Sequence, residues 1–96
     1  MRTITRSSRF KKDYKLMAKR GKDMGKINAV ILMLANDEPL PVALCDHPLS
    51  GNYAGFRDCH VEPDWVLIYR KTDDETLELG ELRLEATGTH SDLFKK

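Results

Sequence analysis

The chain has 96 residues, of which 41% are hydrophobic and 32% charged, and its formal net charge is +1. These values are ordinary for a globular protein and suit a single domain spanning residues 1–96. No stretch approaches the roughly 20 apolar residues that a membrane helix needs, and residues 1–10 lack the apolar centre of a signal peptide, so we expect a cytoplasmic protein.

The small net charge conceals an uneven distribution along the chain. Residues 1–26 contain ten Lys and Arg residues but only two acidic ones, a balance of +8, whereas the remainder carries −7. Such a basic segment attracts phosphate polyanions and predicts salt-dependent binding. The alternative is a solvated helix face whose charge is balanced by the acidic half of the same fold. Charge alone leaves both interpretations open.

The same basic segment is predicted to form a strand and two helices. An extended stretch at 2–6 is followed by Ser7 and Ser8, which favour a helix N-terminus, and this first helix ends at Gly21. Asp23 can cap a second helix, which stops within 36–41. Apolar residues recur at helical spacing in both helices, so the two should form a hairpin that covers a sheet. The stripe residues are Phe10, Tyr14 and Met17 in the first helix, and Met24, Ile27, Val30, Ile31, Leu34 and Ala35 in the second.

Three further strands are predicted in the second half of the chain. Residues 53–61 alternate, residues 65–70 form a nearly continuous apolar run, and the turn signal Glu62-Pro63-Asp64 joins them into a hairpin. The last strand lies within 76–86, where the alternation changes phase at Gly80 through either a bulge or a turn. The expected fold is α+β, with a small sheet of about four mostly antiparallel strands packed against an N-terminal helical hairpin. The predicted order is β-α-α-β-β-β, with a short C-terminal helix around 91–94.

The three histidines lie at or near the predicted strand ends. Alternation places His60 on the same strand face as Phe56 and Asp58, while His47 precedes the sheet and His90 follows it. Loops collect functional groups at strand ends, so the three histidines can converge at one rim of the sheet. A lone strand histidine more often has a structural, hydrogen-bonded role, and the other two histidines weigh against that interpretation.

The spacing of these histidines does not favour a metal site. They match no compact ligand pattern, and Cys45 and Cys59 lack the close spacing of zinc or redox motifs, so we expect no metal, no cofactor and reduced thiols. A neutral imidazole can instead accept or donate a proton near neutral pH. RNA carries its own nucleophile, the 2′-OH beside each phosphate, so its cleavage needs only a base, an acid and cations. The residue types therefore favour metal-free RNA cleavage.

Two long motifs resemble the YafQ branch of the RelE/ParE toxin superfamily. They are DHPLSGNYAGFRDCHVEPDWVLIY at 46–69 and TGTHSDLF at 87–94, and SSRFKKDYKLMAKRGKDM at 7–24 is similar to the first helix of that family. The resemblance implies a RelE-like fold and a toxin of a bacterial type II toxin-antitoxin pair. Members of this branch are ribosome-dependent endoribonucleases that cut mRNA in the ribosomal A site without a metal. The implied partners are a cognate antitoxin, held in a toxin-antitoxin hetero-oligomer, and the ribosome with mRNA in its A site, with no membrane.

The resemblance also implies which residues form the site. The implied catalytic residues are His47, His60, Asp64, His90 and Phe94. Asp64 or a histidine would withdraw the 2′-OH proton, and another histidine would protonate the leaving 5′ oxygen. Phe94 would stack on a base or support the rim, with a C-terminal anchor on the core as the alternative, and Trp65 is expected in the core. The residues expected to contact RNA or the ribosome are Lys11, Lys12, Lys15, Lys19, Arg57 and Arg83.

One position departs from the family pattern. The family usually has an arginine immediately before TGTH, where it faces the scissile phosphate, whereas this chain has Ala86. Arg83 is not a simple replacement, because positions 83 and 86 point to opposite faces in a regular strand. The departure implies either attenuated activity or charge supplied from elsewhere, such as Arg57 or the first-helix lysines. The alternative function is therefore a catalytically inactive or altered RelE/ParE-like protein that only binds its antitoxin or RNA.

Overall fold

The structure is a computed structural model that describes residues 1–73 and 80–94. The elements in chain order are β1 (Thr3–Arg6), α1 (Ser8–Lys19), α2 (Met24–Ala35), β2 (His47–Pro48), β3 (Arg57–Glu62), β4 (Trp65–Thr72), β5 (Glu81–Gly88) and α3 (His90–Leu93), with short 3-10 helices at Val42–Leu44 and Gly51–Tyr53. This order confirms the predicted α+β arrangement and adds one strand, the two-residue β2. Within the described ranges, no helix is long and apolar enough to cross a membrane.

Both long helices begin at their predicted caps. The Ser7 hydroxyl accepts a hydrogen bond from the Phe10 backbone N–H at 2.9 Å, and the Asp23 carboxylate accepts one from the Gly25 N–H at 3.0 Å. Each cap satisfies a donor that the first helical turn leaves unpaired, an effect worth about 1 kcal/mol. Between the helices, Gly21 has a φ of 83°, a left-handed conformation that favours glycine. This short connection returns α2 to the same face of the sheet as α1.

The five strands form one sheet in the order β1-β5-β4-β3-β2. β1 runs parallel to β5, and the other neighbouring strands are antiparallel. The helices cover one face, where their apolar stripes pack against the strand side chains that point towards them. The buried residues of this main core are Phe10, Met17, Ile27, Val30, Ile31, Leu34, Ala35, Cys59, Val61, Trp65, Leu67, Tyr69, Leu82 and Leu84. The opposite face of the sheet is thus left for other contacts.

Trp65 is fully buried in the main core, as the sequence predicts. Its indole Nε1–H donates to the Thr87 hydroxyl at 3.0 Å, and that hydroxyl donates to the Val66 carbonyl at 2.8 Å. The indole therefore keeps a hydrogen bond although it is removed from water. This chain of bonds ties the start of β4 to the end of β5, where the two sequence motifs meet.

The last predicted strand lies partly outside the described residues. Its described part, Glu81–Gly88, continues two residues beyond the predicted end. The phase change expected at Gly80 rests on Leu77 and Leu79, which lie outside the described residues, and it stays a prediction.

A bulge interrupts β5 at Glu85. Ile68 pairs with Ala86 while its neighbour Tyr69 pairs with Leu84, so Glu85 is the extra residue on β5. Leu84 consequently lies in the main core, whereas Ala86 lies in a smaller cluster on the opposite face. The bulge therefore changes which positions of the strand share a face.

The bulge overturns the expectation that Arg83 and Ala86 point to opposite faces. That expectation assumed a regular strand. Arg83 pairs with Arg70, and Arg70 shares a face of β4 with Ile68, the partner of Ala86. Both β5 positions therefore lie on the face that the long helices leave uncovered.

Candidate active site

The uncovered face of the sheet carries the candidate site. Asp58 and His60 of β3 pair with Ile68 and Val66 of β4, so all four project to this face. A second apolar cluster forms its floor, to which the chain between β2 and β3 and the helix α3 contribute. The cluster contains Val66, Ile68, Ala86 and Leu93, with Leu49, Tyr53 and Phe56 packed against it.

The three histidines converge, as the sequence predicts. The ring centroids of His47 and His60 are 6.4 Å apart, and those of His60 and His90 are 5.1 Å apart, both in edge-on geometry. His60 is the middle member of a row that joins β2, β3 and α3. All three side chains are at least partly exposed, so a ligand can reach this histidine row from solvent.

Asp64 fixes the orientation of His90. Its Oδ1 accepts hydrogen bonds from the His90 ring Nδ1–H at 2.7 Å and from the His90 backbone N–H at 3.0 Å. An ionised carboxylate only accepts hydrogen bonds, so Nδ1 carries the proton and Nε2, which has no partner within the described residues, can accept one. The backbone bond, and then the ring bond, hold the pKa of Asp64 below its usual range. Asp64 is consequently ionised at neutral pH and is a weak base.

His47 is oriented by the backbone. Its Nδ1–H donates to the Cys45 carbonyl at 2.7 Å, which again leaves Nε2 free. The same Nδ1 lies 3.0 Å from Asp58 Oδ1, but the single proton on this nitrogen is directed to the carbonyl. Asp58 Oδ1 therefore has no hydrogen-bond partner in the part of the chain that the structure describes.

Asp58 is a candidate site residue that sequence reasoning missed. It is 3% exposed, and burial raises the pKa of its carboxyl, an effect that the nearby His47 opposes. A carboxylate beneath the histidine row stabilises positive charge on an imidazole while a proton is transferred. The available signal was its alternation with His60 on one strand face. Two polar residues on the same strand face mark that face as more than an apolar packing surface.

Phe94 lies at one end of the histidine row. Its ring centroid is 6.0 Å from those of His90 and Tyr53, and the residue is 36% exposed. Tyr53 extends the ring contacts to Phe56 at 6.4 Å, and its hydroxyl accepts a hydrogen bond from Arg9 at 2.7 Å. The partly exposed Phe94 ring thus packs against His90 and Tyr53 at the end of the row.

The short helix α3 is held in place through Asp92. In a capping box, the Thr89 hydroxyl accepts from the Asp92 N–H at 3.2 Å and the Asp92 carboxylate accepts from the Thr89 N–H at 2.9 Å. Arg20, directly after α1, donates twice to the same carboxylate, at 2.6 and 3.3 Å. Arg20 is the largest of the effects that hold the pKa of Asp92 well below its usual range. These contacts tie α3, and His90 with it, to α1.

The basic N-terminal segment divides into paired and unpaired residues. Ion pairs are formed by Arg2, Arg9, Arg20, Lys22 and Lys26. The predicted ribosome-contacting residues of α1 are exposed and form no ion pair within residues 1–73 and 80–94: Lys11, Lys12, Lys15 and Lys19. The acidic half of the fold thus balances only part of this segment.

The predicted arginines lie on different faces of the sheet. Arg57 pairs with Tyr69 of the main core, so it lies on the helix side, where its Nε donates to Asp46 at 3.1 Å. Arg83 lies on the face of the histidine row, and its Nε donates to Glu85 at 3.1 Å. The structure therefore brings Arg83, and not Arg57, onto the face of the candidate site.

No metal site is evident in the described residues. Within them, no group of three or more His, Cys, Asp or Glu side chains is arranged to hold a metal ion. Cys45 and Cys59 are free thiols, and burial raises the pKa of Cys59 to about 12. Such a thiol is not a nucleophile at neutral pH. Among the described residues, the imidazoles of the histidine row and the carboxylates of Asp58 and Asp64 are groups on this face that can transfer or stabilise a proton.

These features define a small α+β protein with an acid–base site on the open face of its sheet. A helical hairpin covers one face of a mostly antiparallel sheet, and the other face carries imidazoles with free Nε2 atoms beside an oriented carboxylate. Such an arrangement suits proton transfer to and from a ligand bound at the rim.

Comparison with known proteins assigns the family. A family of bacterial toxins of the type II toxin-antitoxin system, YafQ, matches residues 2–95. The mRNA interferase toxin YafQ of Escherichia coli K12 is 49% identical over 94 residues, which cover 97% of this chain and 96% of that protein. The crystal structure of the E. coli DinJ-YafQ toxin-antitoxin complex has a TM-score of 0.84 at 49% identity, with 97% of each chain covered. A metal-bound toxin from Helicobacter pylori has a TM-score of 0.86 at 39% identity, with 98% of this chain and 100% of that one covered. The chain belongs to the YafQ family of bacterial type II toxins, as its motifs predict.

Proposed function

We propose that residues 1–96 form one toxin domain that acts in the cytoplasm as a ribosome-dependent endoribonuclease. It cuts mRNA in the ribosomal A site by acid–base catalysis that requires no metal, and it thereby inhibits translation. The observation that carries this proposal is the row of His47, His60 and His90, with Asp64 hydrogen-bonded to the last. The activity named for the E. coli relative supports an mRNA substrate.

In the proposed reaction, the RNA 2′ oxygen attacks the adjacent phosphorus while the bond from phosphorus to the 5′ oxygen breaks. One imidazole takes the 2′-OH proton and a second gives a proton to the 5′ oxygen, so the products are a 2′,3′-cyclic phosphate and a 5′-OH end. His60 and His90 are the proposed pair, because theirs is the shorter of the two ring spacings in the row, 5.1 Å. We assign Asp64 to the orientation of His90 rather than to proton removal, since its Oδ1 already accepts two hydrogen bonds and its pKa is lowered.

The unpaired lysines of α1 are proposed to dock the protein on ribosomal RNA. For an enzyme this small, the ribosome would do much of the positioning of the mRNA substrate. The four residues of this docking surface are Lys11, Lys12, Lys15 and Lys19. Arg83 would contact the message itself, since it lies on the face of the histidine row.

A groove between β1, α1 and α2 is the proposed binding surface for a cognate antitoxin. Its volume is about 520 Å³. Its apolar lining includes Phe10, Ile31 and Leu32, and its basic lining includes Arg6, Lys11 and Lys15. An acidic segment that folds on contact fits this groove, with apolar anchors on the floor and carboxylates along the basic edge. The toxin-antitoxin complex of the E. coli relative supports a hetero-oligomer of this kind.

Cleavage of mRNA on programmed ribosomes tests the nuclease. The purified protein should cut A-site message to 5′-OH ends, and free RNA should be a poor substrate. His60→Ala and His90→Ala should each lower the rate by about 10²- to 10⁴-fold, with an unchanged melting temperature. If the message stayed intact in the presence of folded protein, the nuclease proposal would be wrong. The alternative would then be a catalytically inactive protein that only binds its antitoxin or RNA.

A chelator tests whether the mechanism is metal-free. This test is necessary because the H. pylori relative is a metal-bound toxin. Cleavage should continue unchanged in the presence of the chelator. With the Mg²⁺ that ribosomes require kept in the buffer, loss of cleavage that added zinc restores would contradict the mechanism.

The antitoxin surface has its own test. Leu32 is 50% exposed in the groove, and Leu32→Glu should weaken the complex with the antitoxin while cleavage is retained. Val42, which is 95% exposed and does not line the groove, provides the matched control Val42→Glu. If the two variants bound the antitoxin with equal affinity, the groove would be excluded as the antitoxin-binding surface.

A further inference from the structure

Two arginines lie directly opposite each other on the face that carries the histidine row. Arg70 of β4 pairs with Arg83 of β5. Side chains paired in this way leave β carbons about 5 Å apart, and like charges in that position are destabilising. Glu85 partly neutralises Arg83 at 3.1 Å, but Arg70 forms no ion pair within the described residues. The fold therefore retains an unfavourable contact that a bound anion would relieve.

The surroundings of Arg70 contain a second feature that destabilises the free protein. Its Nε is buried and has no hydrogen-bond partner in the described part of the chain. Its guanidinium carbon lies 4.8 Å from the centroid of the Phe56 ring, so the group lies over the apolar floor. A buried donor without an acceptor destabilises the free protein. A phosphate beside the two guanidinium groups would offset their positive charges, and its oxygen would accept from the Arg70 Nε–H once that side chain turns away from the floor.

The position of the arginine pair relates it to the proposed site. Ala86 is fully buried and supplies no charge, while the bulge at Glu85 brings Arg83 to the same face. Arg70 lies four residues along β4 from Val66, the partner of His60, a separation of about 13 Å. That separation is greater than the distance between neighbouring phosphates of one RNA strand, so it suits a phosphate beyond the immediate neighbour of the scissile one.

Aromatic rings bridge this separation. Phe56 lies beneath Arg70 and contacts Tyr53, Tyr53 contacts Phe94, and Phe94 contacts His90. A single strand of RNA can follow such a path, because bases stack on aromatic rings whatever their sequence while cations bind the backbone.

We infer that Arg70 and Arg83 form a phosphate subsite for a nucleotide beyond the immediate neighbour of the scissile bond, and so keep positive charge on a face where position 86 is an alanine. This inference rests on the proposed ribonuclease function. A contact made equally in the bound substrate and in the transition state lowers KM and leaves kcat unchanged. The subsite therefore sets affinity for the message, whereas the histidine row sets the rate of cleavage.

The test replaces each arginine by methionine, which keeps the packing over Phe56 and removes the charge. Arg70→Met should raise KM by about 10- to 100-fold with kcat little changed, since a hydrogen bond to a charged group has about this effect. Arg83→Met should have a smaller effect, because Glu85 already neutralises that side chain. Lys71→Met is the matched control, since Lys71 is the next residue of β4, points to the other face and loses an ion pair with Asp37. A KM for Arg70→Met within twofold of the wild-type value, or an equal change in Lys71→Met, would overturn the inference.

A second measurement separates the subsite from the nuclease. A short RNA carrying a 2′-deoxy substitution at the cleavage position should shift the NMR signal of the Arg70 Nε–H, and inorganic phosphate should shift it only at much higher concentration. If this RNA shifted the Arg70 Nε–H signal but the wild-type protein did not cut message, the nuclease function would be refuted and the phosphate subsite would be supported. Cleavage with wild-type KM in Arg70→Met, without such a shift, would refute the subsite and retain the nuclease. Loss of antitoxin affinity alone in Arg70→Met would assign the arginine pair to the antitoxin and also overturn the inference.

Discussion

Replacing Asp92 by alanine is expected to loosen α3 without unfolding the rest of the protein. The substitution removes the acceptor for the Thr89 N–H at 2.9 Å and for two Arg20 donors at 2.6 and 3.3 Å. A helix cap is worth about 1 kcal/mol. The ion pair adds a contribution that solvent screens, because 29% of the Asp92 side chain and 40% of the Arg20 side chain are exposed. A loss of about 2 kcal/mol for the Asp92 carboxylate gives about a 30-fold larger population in which α3 is detached.

Hydrogen exchange measures this population directly. The amides of Leu93 and Phe94 donate to the Thr89 and His90 carbonyls at 3.2 and 2.8 Å, so their exchange should accelerate about 30-fold when α3 opens more often. Cleavage should slow as well, since α3 carries His90. The matched control is Asp23→Ala, which removes the cap of α2 and should leave these two amides unchanged. Wild-type exchange at Leu93 and Phe94 in the Asp92 variant would refute the reasoning.

The pH dependence of the same contact has a definite sign. The pKa of Asp92 is lowered in the folded protein, so its stabilising contribution is fully present above the ordinary aspartate pKa of about 3.9. That contribution is lost as the pH falls through the lowered folded-state pKa. In the wild-type protein, α3 should therefore open more often in acid, beyond the change in intrinsic exchange rates. The alanine variant should lack this part of the acid response.

Three further variants test separate parts of the protein. Asp64→Asn keeps an acceptor for His90 but removes the negative charge, and it should lower kcat by about 10- to 100-fold. This loss is smaller than for a buried triad carboxylate, because 70% of the Asp64 side chain is exposed and solvent screens its charge. A wild-type single-turnover rate would contradict the orienting role of Asp64. Glu85→Gln frees Arg83 from its ion pair and should lower KM by about two- to tenfold, whereas an unchanged or higher KM would show that Arg83 does not contact message. Joint replacement of the α1 lysines by glutamine should weaken ribosome association and flatten its salt dependence without changing the melting temperature, and unaffected association would make that helix face a solvated surface only. The residues replaced together are Lys11, Lys12, Lys15 and Lys19.

The helices were predictable because their signals are local. Ser7 and Asp23 act within three residues along the chain, and an apolar stripe is visible in any 12-residue window. The partner of β1 was not predictable in the same way. Thr3–Arg6 pairs in parallel with residues 81–84, and nothing in a four-residue extended stretch specifies a strand so distant in the sequence.

The candidate site was predictable where its residues stand at strand ends. His47 begins β2, His90 begins α3 two residues after β5 ends, and His60 lies two residues before the end of β3, so the topology brings them to one rim. Asp58 and Arg70 are polar residues of β3 and β4, where a polar residue normally indicates an exposed face. Asp58 is instead buried, and the Arg70 guanidinium lies over an aromatic ring. Neither environment follows from alternation along a single strand, because both are created by neighbouring strands and loops.

The bulge at Glu85 shows why one departure from the family pattern was misjudged. If β5 were regular with Ala86 on the histidine face, Leu82 and Leu84 would leave the main core and Arg83 would face the helices, where its charge would be buried without a partner. The extra residue lets Leu84 stay in that core while Ala86 enters the floor of the other face. Arg83 then falls on the histidine face opposite Arg70. The histidine face is therefore cationic although position 86 is an alanine, because the register of β4 and β5 places Arg83 on that face.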